Sequence, residues 1–172
     1  LYTSADSVFQ LAAHQDIIPL TELYHMCEIA RAMLTGKHAV GRVIARPFIG
    51  TIGAFTRTEH RRDFSLAPTG TTLLDLLKEA GKEVIGLGKI EDLFAGRGLT
   101  QREHTETNHE GMAATLRWLE RDFTGLLFVN LVEFDMLWGH RRDSQGYAQA
   151  LRAVDAWFPQ VQQLMRAGDA IF

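Results

Sequence analysis

Residues 126–143 read LLFVNLVEFDMLWGHRRD and are the most informative part of the chain. An apolar run, expected to form a buried strand over 125–132, leads into Asp135 and His140, which stand five positions apart. In an open parallel α/β sheet, reactive groups collect just beyond the carboxyl ends of the strands. A carboxylate and an imidazole there are suitable ligands for a divalent transition metal. The alternative is that Asp135 caps a turn and His140 is an ordinary surface or core residue.

The second half of the chain alternates helix and strand. A capping box at Thr72–Asp75 is predicted to open a helix that ends at Gly81, and residues 83–88 follow as a strand. Asn108 is predicted to cap a second helix, and the strand 125–132 comes after it. This alternation favours a parallel sheet with helical crossovers.

Three further expectations concern the same half. The buried face of the second helix is expected to comprise Met112, Leu116, Leu119 and Phe123. A last helix begins at Asp143 or Ser144, and Pro159 should kink or divide it. Asp169–Phe172 looks like the start of another buried strand.

Lys89 adds a cation to the same predicted edge of the sheet. It follows the strand 83–88, as Asp135 follows the strand 125–132. Parallel strands end at one edge, so the two side chains are expected to face one crevice. A cation beside a candidate metal ligand suits a site that handles phosphate, although Lys89 could also merely end a strand.

The first 70 residues have a different character. Residues 1–10 predict a strand entering a turn, residues 19–34 a helix closed by Gly36, and residues 40–49 a strand. Residues 50–70 are rich in Gly and Pro, with few periodic apolar positions, and are predicted to be a loop. The change in composition near residue 70 indicates two parts, 1–70 and 71–172.

The arginines of the first part form a second candidate site. Guanidinium groups bind phosphate bidentately, and nearby glycines let the backbone approach a ligand. The cluster comprises Arg42, Arg46, Arg57, Arg61 and Arg62. The alternative is a solvated basic surface.

Composition narrows the function classes. The formal net charge of −3 gives no bulk attraction to nucleic acid or to an anionic membrane. The single cysteine, Cys27, cannot form an internal disulfide, which suits a reducing cytoplasm. No apolar run is long enough to span a membrane. We therefore expect no nucleic-acid partner, no membrane partner and a cytoplasmic location.

Residues 134–143 resemble a signature stretch of phosphopentomutases, metal-dependent sugar-phosphate mutases of the alkaline phosphatase superfamily. Residues 2–10 (YTSADSVFQ), 41–48 (GRVIARPF) and 86–90 (GLGKI) resemble the same family in the same order. The likeness runs over essentially all 172 residues. Two departures are Glu133, where an Asp is expected, and Trp138, where a Tyr is common.

The resemblance implies an α/β fold in two parts. Residues 1–70 would be the α/β cap domain, which binds substrate. Residues 71–172 would be part of the metal-binding catalytic core, a doubly wound, mostly parallel alkaline-phosphatase-like sheet. The family's phosphothreonine and further metal-binding segments would lie before and after these residues. The chain is therefore expected to be an internal, inactive fragment.

The resemblance also implies individual roles. Asp135 and His140 would help to hold one of two Mn²⁺ ions, and Lys89 would face the phosphoryl group. In the cap, the substrate phosphate would be bound by Arg46 and Arg61, and the ribose hydroxyls would be contacted by Ser4 and Asp6. Arg42, Arg57 and Arg62 receive no such role and are expected to be structural or surface residues.

The implied reaction interconverts ribose 1-phosphate and ribose 5-phosphate, and the 2-deoxyribose pair. It would proceed through a phosphoenzyme and a bisphosphorylated sugar, which also serves as activator. One alternative is another mutase or phosphatase of the superfamily, such as a phosphoglycerate mutase. Another is a non-catalytic module that uses the arginines to bind a phosphate-bearing partner such as RNA.

Overall fold

The computed structural model describes residues 1–4 and 7–172, so Asp6 lies outside the described residues. The chain divides into two compact units, Leu1–Thr69 and Gly70–Phe172. Each unit has a β-sheet of its own. Among the described residues, no helix is both long and apolar enough to cross a membrane.

The first unit is a five-stranded sheet with one long helix. Its strands are β1 (Tyr2–Ser4), β2 (Val8–His14), β3 (Arg42–Thr51), β4 (Ala54–Arg57) and β5 (Arg62–Ser65). The order is β1-β2-β3-β4, and β5 also pairs with β3. The neighbours β2 and β3 are parallel, because helix α1 (Leu20–Met33) carries the chain back between them.

Helix α1 covers one face of this sheet. Its buried residues, Leu23 and Cys27, pack in one core cluster with Leu11 of β2 and with Val43 and Ala45 of β3. Burial of this apolar surface is worth about 25 cal/mol per Å² and is the main stabilising contribution to the unit.

Two predictions for the first unit are wrong at their boundaries. Residues 50–70 are not a continuous loop, because β4 and β5 lie within them. Both strands have four residues, and β4 is wholly exposed, so neither carries the alternating apolar pattern of a half-buried strand. Gly36 does not close α1, which ends at Met33; it begins a short 3₁₀ turn with φ +56°.

The second unit alternates helices and strands around a parallel sheet. Its first elements are α2 (Leu73–Glu79), β6 (Glu83–Leu87), α3 (Ile90–Phe94) and β7 (Gln101–Glu103). They are followed by α4 (Asn108–Leu119), β8 (Gly125–Val129), a π-helical turn (Phe134–Gly139) and α5 (Ser144–Leu164). The strand order is β7-β6-β8, and both pairings are parallel, which confirms the predicted sheet.

Strand β6 is buried on both faces. On one face Val84 packs with Leu74, Ile90 and Leu99, from the α2 and α3 side. On the other face Ile85 and Leu87 pack with Ala114 and Trp118 of α4. Helices therefore cover both faces of the sheet, as in the predicted doubly wound arrangement.

Several details of the second unit differ from prediction. The cap of α4 is Thr107 rather than Asn108, and β8 ends at Val129 rather than at residue 132. Helix α5 is not divided, since it continues through Pro159. Residues 169–172 form no strand. The short elements α3 and β7 were not anticipated.

The buried face of α4 is also rotated from the predicted one. It comprises Asn108, Gly111, Ala114, Thr115 and Trp118, of which all but Trp118 are small, while the predicted Met112, Leu116 and Leu119 are only half-buried. Small side chains let the helix approach its neighbours closely, so size as well as hydropathy decides which face is buried.

Candidate functional site

Asp135 and His140 are brought together by the π-helical turn that follows β8. In an α-helix, residues five positions apart point about 140° away from each other. Here the N–H of His140 donates to the carbonyl of Asp135, 3.2 Å away, and this wider i→i+5 closure stacks the two residues on one side. As a result His140 Nε2 lies 3.2 Å from Asp135 Oδ2.

The pair is open to solvent. The side chains of Asp135 and His140 are 74% and 71% exposed, so a metal ion can reach both without disturbing the core. A carboxylate oxygen and an imidazole nitrogen at this separation fit two positions of a Mn²⁺ or Zn²⁺ coordination sphere. Among the described residues no group of three or more His, Cys, Asp or Glu side chains is placed to hold a metal, so Asp135 and His140 would supply two ligands of such a site.

Aromatic packing holds the π-helical turn against the start of α5. The ring of Phe134 lies edge-on to Trp138 and to Tyr147, with centroids 5.9 and 5.0 Å apart. Asp143 caps α5 by accepting from the N–H of Gly146 at 2.9 Å, and its own N–H donates to the carbonyl of Trp138 at 3.0 Å. The turn therefore has a half-buried aromatic side that fixes it and an exposed side that carries Asp135 and His140.

Lys89 lies at the same edge of the sheet. The parallel register pairs Leu87 with Val129, so the residues that follow β6 and β8 lie at the same edge of the sheet. There Lys89 Nζ is 2.9 Å from Met136 Sδ, in the π-helical turn itself. A thioether is a weak acceptor, so the ammonium keeps its capacity to bind an anion.

Gly88 is required at this edge. Its φ is +75°, and a Cβ at this position would overlap the carbonyl of Asn130. Glycine therefore permits the close approach that places Lys89 beside the turn carrying Asp135.

A second cluster of candidate site residues lies on the sheet of the first unit. Residues that pair directly across neighbouring strands lie on the same face of a sheet. The pairs Tyr2–Gln10, Gln10–Ile44 and Ile44–Asp63 therefore lie on the face that points away from α1. We call this side of the sheet the polar face; it carries Tyr2, Ser4, Gln10, Arg46, Arg57 and Asp63. Two of the predicted residues, Ser4 and Arg46, are thus on one face, with Ser4 exposed at the end of β1.

Arg46 is anchored on the polar face by a buried amide. Its Nε donates to Oε1 of Gln10 at 2.8 Å, and Gln10 is only 5% exposed. Burial lowers the pKa of Arg46, and the neighbouring cations Arg61 and Arg57 lower it further. A guanidinium stays charged even so, and a bound anion would offset this repulsion.

Arg61 makes a bidentate ion pair with Asp63, with Nε–Oδ1 and Nη2–Oδ2 distances of 2.7 and 2.6 Å. Asp63 also lies 3.6 Å from Arg42, so it neutralises part of the cluster. A guanidinium has five N–H donors, and the bidentate pair uses two of them. The bidentate geometry therefore fixes the plane of the Arg61 guanidinium against Asp63.

The remaining arginines divide between the two faces. Arg62 stacks over Tyr24 and Phe64 on the α1 side, at 5.3 and 4.8 Å from the ring centroids. Arg57 pairs with Phe48 on the polar face, close enough to Arg46 to affect its pKa.

Sequence reasoning missed Gln10 and Asp63 as partners of the arginines. The signal for Gln10 is an amide side chain within the largely apolar strand β2.

Comparison with known proteins identifies the class. Residues 56–172 match the family described as the metalloenzyme superfamily, and the chain belongs to it. Membership implies a metal cofactor, consistent with the Asp135–His140 pair.

Curated relatives narrow the class further, and all those compared are named phosphopentomutase. The chain is 58% identical to the protein of Carboxydothermus hydrogenoformans over 171 residues, covering 99% of the chain and 44% of that protein. It is 57% identical to that of Caldanaerobacter subterraneus subsp. tengcongensis, with the same shares covered. It is 59% identical to that of Dictyoglomus turgidum, covering 99% of the chain and 43% of that protein. The predicted resemblance is confirmed, and the chain spans about 44% of the length of the relatives it matches.

Proposed function

We propose that this chain is part of a phosphopentomutase that interconverts ribose 1-phosphate and ribose 5-phosphate, and the 2-deoxyribose pair. The observation that carries the proposal is the Asp135–His140 pair, 3.2 Å apart and exposed beside Lys89 at a sheet edge. It occurs in a chain 58% identical to a phosphopentomutase over 99% of its length. The cytoplasmic location expected from the free, buried Cys27 belongs to this proposal.

Residues 71–172 are, in this proposal, part of the catalytic core. Asp135 and His140 hold a divalent ion, taken to be Mn²⁺, and the complete enzyme carries two such ions with its other ligands outside this chain. When bound, the metal neutralises charge on the transferring phosphoryl group. Lys89 donates to the same group from the neighbouring strand end and stabilises charge that develops in the transition state.

Residues 1–70 are the substrate-binding cap in the same proposal. Arg46 and Arg61 bind a phosphate of the sugar, with Gln10 and Asp63 orienting their guanidinium planes. Ser4 and Asp6 contact the ribose hydroxyls. A mutase that works through a bisphosphorylated sugar must bind a phosphate that is not reacting, and an arginine cluster in another unit of the chain suits this task.

The test is removal of each metal ligand in the complete enzyme containing this chain. Asp135→Ala and His140→Ala are expected to lower bound manganese and to reduce turnover of ribose 1-phosphate at least about 100-fold. His25→Ala is the matched control, because His25 is also exposed and lies 3.8 Å from a carboxylate, Glu28, on α1. Unchanged metal content and turnover in either ligand variant would refute the metal assignment. A panel of phosphosugars and phosphoglycerate distinguishes this mutase from others of the superfamily.

A further inference from the structure

Glu133 and Asn108 make two reciprocal hydrogen bonds across 25 positions of sequence. The N–H of Asn108 donates to Oε2 of Glu133 at 2.7 Å. The N–H of Glu133 donates to Oδ1 of Asn108 at 2.9 Å. Glu133 is the residue immediately before the π-helical turn, and Asn108 is the first residue of α4. The start of the turn is thus tied to the start of a helix by both backbone and side chain.

The helix end makes this pair stronger than an ordinary side-chain contact. The first N–H groups of a helix have no partner within it, and the positive end of the helix dipole favours a carboxylate there. Thr107 already accepts from the N–H of Glu110, so Glu133 serves a different donor, that of Asn108. The bond is charge-assisted, and Asn108 is only 6% exposed.

Helix α4 is itself fixed to the sheet. Its residues Ala114 and Trp118 pack against Ile85 and Leu87 of β6, the strand that leads to Lys89. The Glu133–Asn108 pair therefore links the π-helical turn to the core around β6. The ligand pair needs such support, because side chains exposed by about three-quarters have little packing of their own to fix them.

We propose that Glu133 and Asn108 are positioning residues that hold the π-helical turn in the geometry in which Asp135 and His140 bind metal. The inference rests on the proposed metal role of those two residues and deepens it. Neither Glu133 nor Asn108 acts as a ligand; the pair fixes the backbone from which the ligands project. Without the Glu133–Asn108 pair, the turn can exchange its i→i+5 hydrogen bond for other backbone hydrogen bonds. The side chains of Asp135 and His140 then move apart.

The experiment compares manganese affinity among variants of the complete enzyme, measured by electron paramagnetic resonance of free Mn²⁺. Glu133→Ala is expected to weaken affinity by about 10- to 100-fold, as loss of support around a metal site typically does. Glu133→Gln keeps an acceptor for the N–H of Asn108, so its manganese affinity should fall less than that of Glu133→Ala. Thr107→Ala is the matched control: it removes a cap from the same helix end without touching Glu133, and its affinity should stay within about twofold.

A second readout separates positioning from simple attraction between Glu133 and the cation. Hydrogen exchange of the peptide covering residues 134–140 is measured without metal. Glu133→Ala should accelerate it, because the N–H of His140 is protected only while the π closure is intact. Thr107→Ala should leave it unchanged.

The outcomes distinguish the inference from the proposed function. If Asp135→Ala loses manganese while Glu133→Ala binds it normally, or if Glu133→Ala and Thr107→Ala weaken binding equally, the positioning role is wrong and the metal site stands. If Asp135→Ala binds manganese with unchanged affinity, both fail. Should Glu133→Ala not fold, Glu133→Gln decides: it must weaken binding more than Thr107→Ala, and an equal or smaller effect overturns the inference.

Discussion

Individual side chains on the polar face are oriented before any substrate arrives. Gln10 accepts a hydrogen bond from Nε of Arg46 at 2.8 Å, and Asp63 accepts one from Nε of Arg61 at 2.7 Å. A pre-oriented guanidinium loses less side-chain entropy on binding than a free one. Burial, and then the neighbouring cations Arg61 and Arg57, lower the pKa of Arg46, so a bound anion would relieve part of this cost.

Removing either guanidinium should therefore weaken phosphate binding in the complete enzyme. Arg46→Ala or Arg61→Ala is expected to cost about 2–5 kcal/mol of transition-state stabilisation, because a charged hydrogen bond to a desolvated phosphate is lost. Part of the loss should appear in kcat, since remote binding energy positions the reacting end. Steady-state kinetics with ribose 1-phosphate measures both parameters.

Arg62→Ala is the control for this pair, because Arg62 lies on the α1 side over Tyr24 and Phe64. Its kcat/KM should stay close to that of the wild type, although its stability falls. Equal losses in all three variants would show that the cluster is only a solvated basic surface. Arg57 is unsuitable as a control, since it shares the polar face with Arg46.

Cys27 should be unreactive in the folded chain. It is fully buried, and burial, with a smaller contribution from Glu28, raises its pKa to about 11 from 9.0. The thiolate, which is the reactive form, is therefore scarce at pH 8 in the folded state. Labelling with iodoacetamide at pH 8 should be slow until urea unfolds the first unit. Rapid labelling under native conditions would contradict the packing of α1 on the sheet.

At the scale of elements, the π-helical turn depends on its fit to α5. A Cβ at Gly146 would overlap the ring of Trp138. Gly146→Ala is therefore expected to destabilise the fold by about 1–3 kcal/mol and to weaken manganese binding in the complete enzyme. Gly70→Ala is the control, because a Cβ there meets no atom within 4 Å. Thermal melting and metal affinity are compared, and equal behaviour of the two variants would show that the turn does not need this fit.

The capping box of α2 gives that helix a pH-dependent stability. Hydrogen bonding to the N–H of Thr72, and then to its hydroxyl and to Arg97, lowers the pKa of Asp75 below its usual 3.8. The folded state thus favours the carboxylate, so its stabilisation is present above about pH 4 and is lost as pH falls through the lower folded value. Asp75→Asn should destabilise the second unit at pH 7 and much less at pH 2.5. Urea unfolding followed by circular dichroism measures this, and an equal effect at both pH values would refute it.

Local signals in the sequence predicted the elements that depend on local chemistry. The capping box of α2, with Thr72 and Asp75 bonded reciprocally, is present as predicted. The apolar runs correctly predict strands β6 and β8. The sequence does not predict strands β4 and β5, because neither has an alternating apolar pattern. They are defined by their pairing with β3. The spacing of Asp135 and His140 did not predict their contact either, since it requires a π closure rather than an α-helix.

At the scale of the whole molecule, the proposed chemistry is divided between two units with separate cores. The first unit carries the cations proposed to bind phosphate, and the second carries the candidate metal ligands. Neither set alone can transfer a phosphoryl group, because binding a phosphate and neutralising the reacting one are different tasks.

The 172-residue chain by itself is therefore expected to have no phosphopentomutase activity. It spans 44% of the length of its relatives. Within the described part of the chain, the pair of Asp135 and His140 is not joined by a third metal-binding side chain. Two ligands leave most of a Mn²⁺ coordination sphere to water, so the isolated chain should also bind manganese weakly. In the proposed mechanism the phosphothreonine lies in the rest of the protein, so the isolated chain would lack its nucleophile.

The measurement is an assay of the purified chain with ribose 1-phosphate, Mn²⁺ and a bisphosphorylated sugar as activator. The complete enzyme is assayed in parallel as the positive control. Circular dichroism on the same sample establishes that the chain is folded, so that inactivity is not mistaken for unfolding. Turnover by the isolated chain well above a blank would show that these two units contain a full catalytic apparatus. It would require a nucleophile among the residues of this chain and a different assignment of the metal site.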